Sequence, residues 1–177
     1  ANFFILSIYN SIIGFNKFYE EFKNSIDLKY TIIGSGDKSE VVKIKETISK
    51  FNLFSVVHLV GYMHHEYIKK YFHQTNIGVS YVPITEYFDC QPPTKTFEYL
   101  LSGMCVIGTD TTENRKIIHK NNGVLINDDS FSFYYGLVYL YNNRQSFNSR
   151  LIVEEMLNHK WSNIILHHFK TYLYTIV

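Results

Sequence analysis

Residues 89–108 decide the fold: Asp-Cys-Gln-Pro-Pro-Thr-Lys-Thr-Phe-Glu-Tyr-Leu-Leu-Ser-Gly-Met-Cys-Val-Ile-Gly. A proline lacks the N–H that would go unpaired in a first helical turn, so Pro92-Pro93 predicts the start of a helix. Gly103 then separates this helix from an apolar run typical of a strand. Helical spacing gives two faces, one polar with Lys95, Glu98 and Ser102, and one apolar with Phe97, Leu100 and Leu101.

The polar face allows two interpretations. Lys95 and Glu98 are three residues apart, and such pairs are commonly surface ion pairs worth about 0.2–0.5 kcal/mol. Alternatively, a cation and a carboxylate beside a helix N-terminus suit a phosphate-containing ligand, because the helix dipole favours anions there. The pair alone does not decide between a solvated face and a binding site.

Composition places the chain among globular proteins and excludes several partners. Its 177 residues are 46% hydrophobic, with a formal net charge of +1. This predicts one domain over residues 1–177 and gives no electrostatic reason to expect nucleic acid. Cys90 and Cys105 suit neither a disulfide framework nor a zinc site, so a reducing, cytoplasmic setting is the default.

Short apolar runs alternate with amphipathic stretches along the whole chain. Strands are predicted at residues 3–7, 30–33, 56–60, 77–82, 105–109 and 123–126. Besides the helix after Pro93, helices are predicted at residues 14–24, 39–51, 65–74, 113–119, 130–141 and 151–174. The alternation indicates a Rossmann-like, doubly wound parallel sheet of about six strands, with helices on both faces and a helical C-terminus.

Ligands of such folds lie beyond the carboxyl ends of the strands, where three polar loops are expected to meet. These loops contain Gly34-Ser35-Gly36, Gly61-Tyr62-Met63 and residues 89–95. A dinucleotide fingerprint would need glycine in place of Ser39 and would follow the first strand, so an NAD site is disfavoured. Packing explains the first glycine loop about as well as ligand contact does.

The helix after Pro93 resembles the C-terminal domain of retaining GT-B glycosyltransferases, the "glycosyl transferases group 1" family. Many members have a Pro-x-Lys-x-x-Glu-Tyr helix, then Ser/Ala-Gly and a valine-rich strand. The matching residues are Pro93, Lys95, Glu98, Tyr99, Gly103 and Val106. The family also has a similar Gly-x-Gly after the strand that ends at Ile33.

The resemblance implies a site for a nucleotide-sugar donor. Glu98 would bind the ribose hydroxyls, and Lys95 would stabilise charge on the departing diphosphate as the catalytic residue. Backbone groups after Gly61 would bind the base; Tyr62 or Met63 would line its pocket or serve only as rim packing. The remaining donor-binding residues implied are Gly34, Ser35, Gly36, Cys90, Gln91, Pro93 and Thr94.

Two departures from the family pattern bear on activity. The first glutamate of the family's Glu-x7-Glu motif corresponds to Cys90, next to Asp89. The arginine and lysine that grip the donor phosphates correspond to Ser7 and Ile13, so Lys17 or Lys95 would have to compensate.

Two alternatives therefore stay open. One is an inactive partner subunit that kept the fold. The other is an NAD-dependent or flavodoxin-like protein, for which Ile12-Ile13-Gly14 makes a poor phosphate cradle.

By resemblance, the chain is the donor-binding half of a two-domain enzyme, without the N-terminal acceptor domain and inactive alone. The whole enzyme would transfer a sugar without metal or cofactor during bacterial surface polysaccharide synthesis. It would be cytoplasmic, with peripheral association at the inner face of the membrane through the missing half.

Trp161 matches the tryptophan that opens the family's last helix. His64, His65 and His73 fit no metal-ligand spacing and are predicted to be solvated.

Overall fold

The computed structural model describes residues 3–170 and residue 172 as an α/β protein. Its strands are β1 (Tyr30–Ile33), β2 (Val57–Gly61), β3 (Ile77–Ser80), β4 (Cys105–Thr109) and β5 (Gly123–Ile126). Its α-helices are α1 (Phe3–Phe22), α2 (Lys38–Lys50), α3 (His65–Phe72), α4 (Glu86–Asp89), α5 (Thr94–Leu101), α6 (Thr112–Arg115), α7 (Ser130–Asn142), α8 (Ser149–Met156) and α9 (Trp161–Ile164). A 3₁₀ turn occupies Leu157–His159, and a π-helical segment occupies Ile165–Phe169.

All strand pairs are parallel, and they form two sheets. β1 pairs with β2, while β4 lies between β3 and β5. The doubly wound order places the first predicted strand between the second and the fourth. In the described residues no strand takes that position, and β1 and β3 therefore belong to separate sheets.

The predicted strand at residues 3–7 is wrong, because α1 runs without a break from Phe3. A short apolar run has no periodicity that separates a strand from a buried helix. Here it continues into the helical spacing of Ile12, Phe15 and Phe18, all of which are buried. This accounts for five described strands against the expected six or so.

Helices cover both faces of the three-stranded sheet, as predicted. On one face Gly136 of α7 packs closely on β4, where an added Cβ would lie 2.6 Å from Ile107 Cδ1. On the other face Gly78 of β3 leaves room for the ring of Tyr99 from α5. Every residue of β4 is buried, which explains its continuous apolar run. The Rossmann-like prediction is confirmed.

Several element boundaries differ from the predictions. The four-residue helix α4 was not expected; Thr85 caps it by accepting a hydrogen bond from Phe88 N. Pro93 precedes α5 as its N-cap with extended backbone, so the helix begins at Thr94. Helix α6 ends at Arg115, four residues short of its predicted end.

The C-terminal third is helical but not continuous. Lys160 has extended backbone (φ −67°, ψ 135°) and separates the 3₁₀ turn from α9. Residues 171, 173 and 174 of the predicted helix lie outside the described residues. Among the helices described, none is both long enough and apolar enough to cross a membrane.

Candidate functional site

The glycine turns at the ends of β1 and β2 touch each other: Gly34 directly follows β1, and Gly61 is the last residue of β2. Gly34 N donates a hydrogen bond to Gly61 O at 2.9 Å. Gly34 has φ 150° and Gly61 has φ 82°, in the region that favours glycine. A Cβ added to either residue would meet nothing within 4 Å, so backbone conformation rather than space requires glycine here.

The Glu98 carboxylate contacts the first residue of the helix that follows the Gly61 turn. His65, the first residue of α3, follows Gly61 by four positions, and its Nε2 is 3.7 Å from Glu98 Oε1. The Glu98 side chain is 44% exposed, so its carboxylate can meet a ligand from solvent. The structure thus joins Gly34 to Gly61 by a hydrogen bond and Glu98 to the start of α3; a single ligand site formed by these segments stays a prediction.

His65 was predicted to be a solvated histidine. Its side chain is 69% exposed, which confirms that prediction, but its contact with Glu98 was missed. The available signal was its position at the start of the helix after the Gly61 turn.

A buried polar network lies beneath α5 at the ends of β3 and β4. Thr96 Oγ1 is 2.7 Å from Ser80 Oγ and 2.9 Å from Asn114 Oδ1. Asn114 Nδ2 donates to Thr109 O at 2.9 Å. None of these four residues is more than 1% exposed. The network joins α5 to β3, β4 and α6, and sequence reasoning missed it.

The same network closes the loop that follows β3. Val82 N donates to Thr109 Oγ1 at 3.0 Å, and that hydroxyl donates to Val82 O at 2.6 Å. The end of β4 therefore holds the chain as it leaves β3, upstream of residues 89–95.

Asp89, the last residue of α4, links the segment before α5 to α6. Thr112 donates twice to its carboxylate, from N to Oδ1 at 2.9 Å and from Oγ1 to Oδ2 at 2.5 Å. These hydrogen bonds lower the pKa of Asp89, because they favour the charged carboxylate. Asp89 therefore acts at the start of a helix, where a negative charge is stabilised.

The other predicted donor-binding residues differ in how far they are exposed. Ser35, Gly36 and Tyr62 are exposed, Tyr62 by 76%, and Met63 is partly buried. In the loop before α5 and its first turn, Cys90, Gln91, Thr94 and Lys95 are exposed and Pro93 is partly buried. Cys90 and Gln91 follow Asp89, which is bonded to Thr112 of α6, whereas His65, four residues after Gly61, contacts Glu98 of α5.

Lys17 was considered as a replacement for the phosphate-binding residues of the family, but its side chain makes a different contact. Its Nζ lies 4.5 Å from the ring centroids of Phe131 and Tyr134, on the side where α1 meets α7. This is the geometry of a cation–π contact. Ile13 is partly buried, and the Ser7 side chain lies outside the described side chains. Among the residues with described side chains, no group of three His, Cys, Asp or Glu is arranged to hold a metal ion.

The fold and the candidate site together define a class of protein. It is a Rossmann-like domain with glycine turns at the ends of two parallel strands and an exposed carboxylate. The family described as "Glycosyl transferases group 1" matches residues 3–143. The chain therefore belongs to the glycosyl transferases group 1 family. Comparison with curated protein sequences gave no match.

Solved structures with a similar fold are GT-B glycosyltransferases. Sucrose-phosphate synthase from Thermosynechococcus elongatus is 16% identical, with a TM-score of 0.65 over 97% of this chain and 44% of that one. Anabaena Alr3699/HepE in complex with UDP is 11% identical, with a TM-score of 0.64 over 85% and 41%. The pneumococcal O-GlcNAc transferase GtfA, in complex with UDP and GlcNAc, is 18% identical, with a TM-score of 0.61 over 90% and 33%. The chain thus spans less than half the length of these proteins.

Proposed function

We propose that this chain is the donor-binding part of a retaining glycosyltransferase that acts in bacterial surface polysaccharide synthesis. Its donor would be a nucleoside diphosphate sugar. The observation that carries the proposal is the exposed Glu98 carboxylate in contact with His65, which follows Gly61 by four residues, while Gly61 is hydrogen-bonded to Gly34.

The chemistry of these groups fits the parts of such a donor. A carboxylate accepts two hydrogen bonds from a vicinal diol, so Glu98 binds the ribose. Backbone groups after Gly61 offer a donor and an acceptor to the edge of the base. Lys95, in the first turn of α5, stabilises the charge that develops on the departing diphosphate. In this proposal no metal ion or cofactor takes part.

The proposed acceptor-binding half packs against the last helical segments. Trp161, Ile165 and Phe169 follow one another at four-residue intervals and so share a face. They are 78%, 52% and 56% exposed, and exposed apolar side chains on one face favour a partner surface. Similar structures are more than twice as long as this chain, which supports a missing half. We place the whole enzyme in the cytoplasm, at the inner face of the membrane.

A second candidate is an inactive partner subunit that binds nucleotide. The contact of Lys17 with the aromatic rings of α7 favours it, because that ammonium is then not at the donor phosphates. This candidate keeps the Glu98 site and lacks sugar transfer.

The test is a calorimetric titration of the chain with UDP, GDP and ADP. UDP comes first because HepE and GtfA were crystallised with it. Glu98→Gln should weaken binding of the preferred nucleotide about tenfold or more, since a lost hydrogen bond to a charged group costs about 1.5–3 kcal/mol. Glu154→Gln is the matched control, because Glu154 is also in an exposed ion pair, with Arg150.

Equal affinity of Glu98→Gln and the unsubstituted chain would refute the proposed site. Absence of binding by all three nucleotides would refute the donor-binding function. Sugar transfer by the chain joined to its acceptor half would exclude the inactive subunit.

A further inference from the structure

We propose that Thr96 is a positioning residue: its hydrogen bonds fix the position of α5, and with it the positions of Lys95 and Glu98 in the candidate site. The proposal rests on the function above and deepens it, because it names what holds the ribose-binding carboxylate in place. Thr96 itself is 0% exposed, so a ligand cannot reach it from solvent.

The hydroxyl of Thr96 has two partners on different elements. It is 2.9 Å from Asn114 Oδ1, an amide oxygen that only accepts, so it donates its single proton there. It lies 2.7 Å from Ser80 Oγ, and with its own proton used it accepts from Ser80. Thr96 is thereby fixed between β3 and α6.

These partners are themselves fixed. Asn114 donates to Thr109 O, and the Thr109 hydroxyl bonds both N and O of Val82. A fully bonded buried network resists displacement, because any shift would leave a desolvated polar group without a partner.

The other contacts of α5 with the sheet are less directional. Leu100 is fully buried, and the Tyr99 ring packs on Gly78 and against Phe72. Apolar contacts of this kind are close-packed but not directional, so they oppose a small rotation of the helix less specifically than hydrogen bonds do. The hydrogen bonds of Thr96 oppose such movement at the first turn of the helix.

Lys95 and Glu98 move with Thr96 because all three lie on one short helix, Thr94–Leu101. A rotation of α5 that displaces Thr96 carries the Glu98 carboxylate away from His65. We therefore expect loss of the Thr96 hydrogen bonds to weaken ribose recognition, even though the side chain is remote from the nucleotide.

The test compares Thr96→Val with Thr47→Val. Valine has nearly the shape of threonine but lacks the hydroxyl. Thr47 is also buried, at 5% exposure, and its hydroxyl donates to Lys43 O within α2. Thr47→Val thus removes one buried hydroxyl away from the proposed site. Each variant is titrated with UDP and with 2′,3′-dideoxy-UDP, which lacks the diol that Glu98 would bind.

Thr96→Val should bind UDP about tenfold more weakly and 2′,3′-dideoxy-UDP by a clearly smaller factor, because a displaced Lys95 affects the diphosphate of both nucleotides whereas a displaced Glu98 affects only the diol of UDP. Thr96→Ser, which keeps the hydroxyl, should restore UDP binding, and Thr47→Val should bind both nucleotides like the unsubstituted chain. A purely structural role would lower the affinity for both nucleotides equally, and that result would overturn the proposal.

If Thr96→Val does not fold, Ser80→Ala provides the same comparison from the other end of the hydrogen bond. It should show a smaller loss of the same kind. UDP affinity unchanged in Ser80→Ala or Thr96→Val, with Glu98→Gln weakened, would refute the role of Thr96 alone. UDP affinity unchanged in Glu98→Gln would refute the proposed function, and the role of Thr96 with it.

Discussion

The two sheets use their polar groups in opposite ways. In the three-stranded sheet β4 is wholly buried, and polar side chains beneath α5 bond to one another away from water. In the two-stranded sheet every residue of β1 is partly exposed, and the sheet ends in two glycine turns that bond to each other. The first arrangement fixes side chains in position, whereas the second presents backbone groups. The candidate site spans both parts, because Glu98 of α5, which packs on the three-stranded sheet, contacts His65 of α3, which follows the two-stranded sheet.

The largest expected effect compares a glycine from each sheet. A Cβ on Gly123 would overlap Val106 O and lie 3.0 Å from Ile118 Cγ2, so Gly123→Ala should lower the free energy of unfolding by about 3 kcal/mol or more. Gly34→Ala meets no atom within 4 Å and suffers only from its φ of 150°, so about 2 kcal/mol is expected.

Urea unfolding of both variants measures this difference. Equal losses, or a larger loss for Gly34→Ala, would contradict the contrast between a packed sheet and an open one.

A smaller effect concerns acid stability of the loop held by Asp89. Its pKa is lowered by the hydrogen bonds from Thr112, so its contribution to stability is present above the ordinary carboxyl pKa of about 4. That contribution is lost as the pH falls through the lowered value in the folded protein. Asp89→Asn, which cannot titrate, should therefore lose less stability than the unsubstituted chain between pH 6 and pH 3.

The urea midpoint at the two pH values is the measurement, with the exposed Asp27→Asn as control. Asp110 and Asp129 also have lowered pKa values, through hydrogen bonds from Arg115 and Ser132. The unsubstituted chain and Asp89→Asn should thus both weaken in acid, to different extents. Identical acid losses would show that Thr112 does not hold Asp89 in solution.

The smallest effect is expected for His65→Ala. The contact with Glu98 is exposed and 3.7 Å long, so stability should change by less than about 0.5 kcal/mol. UDP affinity should fall by about two- to threefold, because Glu98 loses a neighbour that restricts its movement. Titration of His65→Ala beside His64→Ala measures this. A loss as large as that of Glu98→Gln would instead make His65 a direct ligand contact.

The strand predictions were accurate where turn-forming residues flank an apolar run. Gly103 and Gly123 mark the edges of β4 and β5, and both strands were predicted to the residue. The run at residues 3–7 has no such boundary before the helical spacing of α1, and the strand prediction failed there. The unexpected helix α4 depends on a single cap, Thr85, which a periodicity argument does not detect.

The loops of the candidate site could be predicted from the sequence, but the buried hydrogen bonds that hold α5 could not. Gly34, Gly61 and Glu98 follow predicted strands or face away from the apolar side of a helix, so their common edge followed from the topology. Thr96 lies between the two predicted faces, and its partners are 16 and 18 residues away. A sequence pattern shows a polar residue in such a place but does not show what it bonds to.

The most direct test of the site is an amide NMR titration of the assigned chain with UDP. Binding at a single site should shift the amide resonances of Gly34, Gly61 and residues 94–98. All of these shifts should follow the same dependence on the nucleotide concentration. The amides of Gly136 and Ile152, in α7 and α8, should stay unchanged. Shifts confined to α7 and α8, or glycine turns that respond without α5, would contradict a single nucleoside site formed by the two sheets.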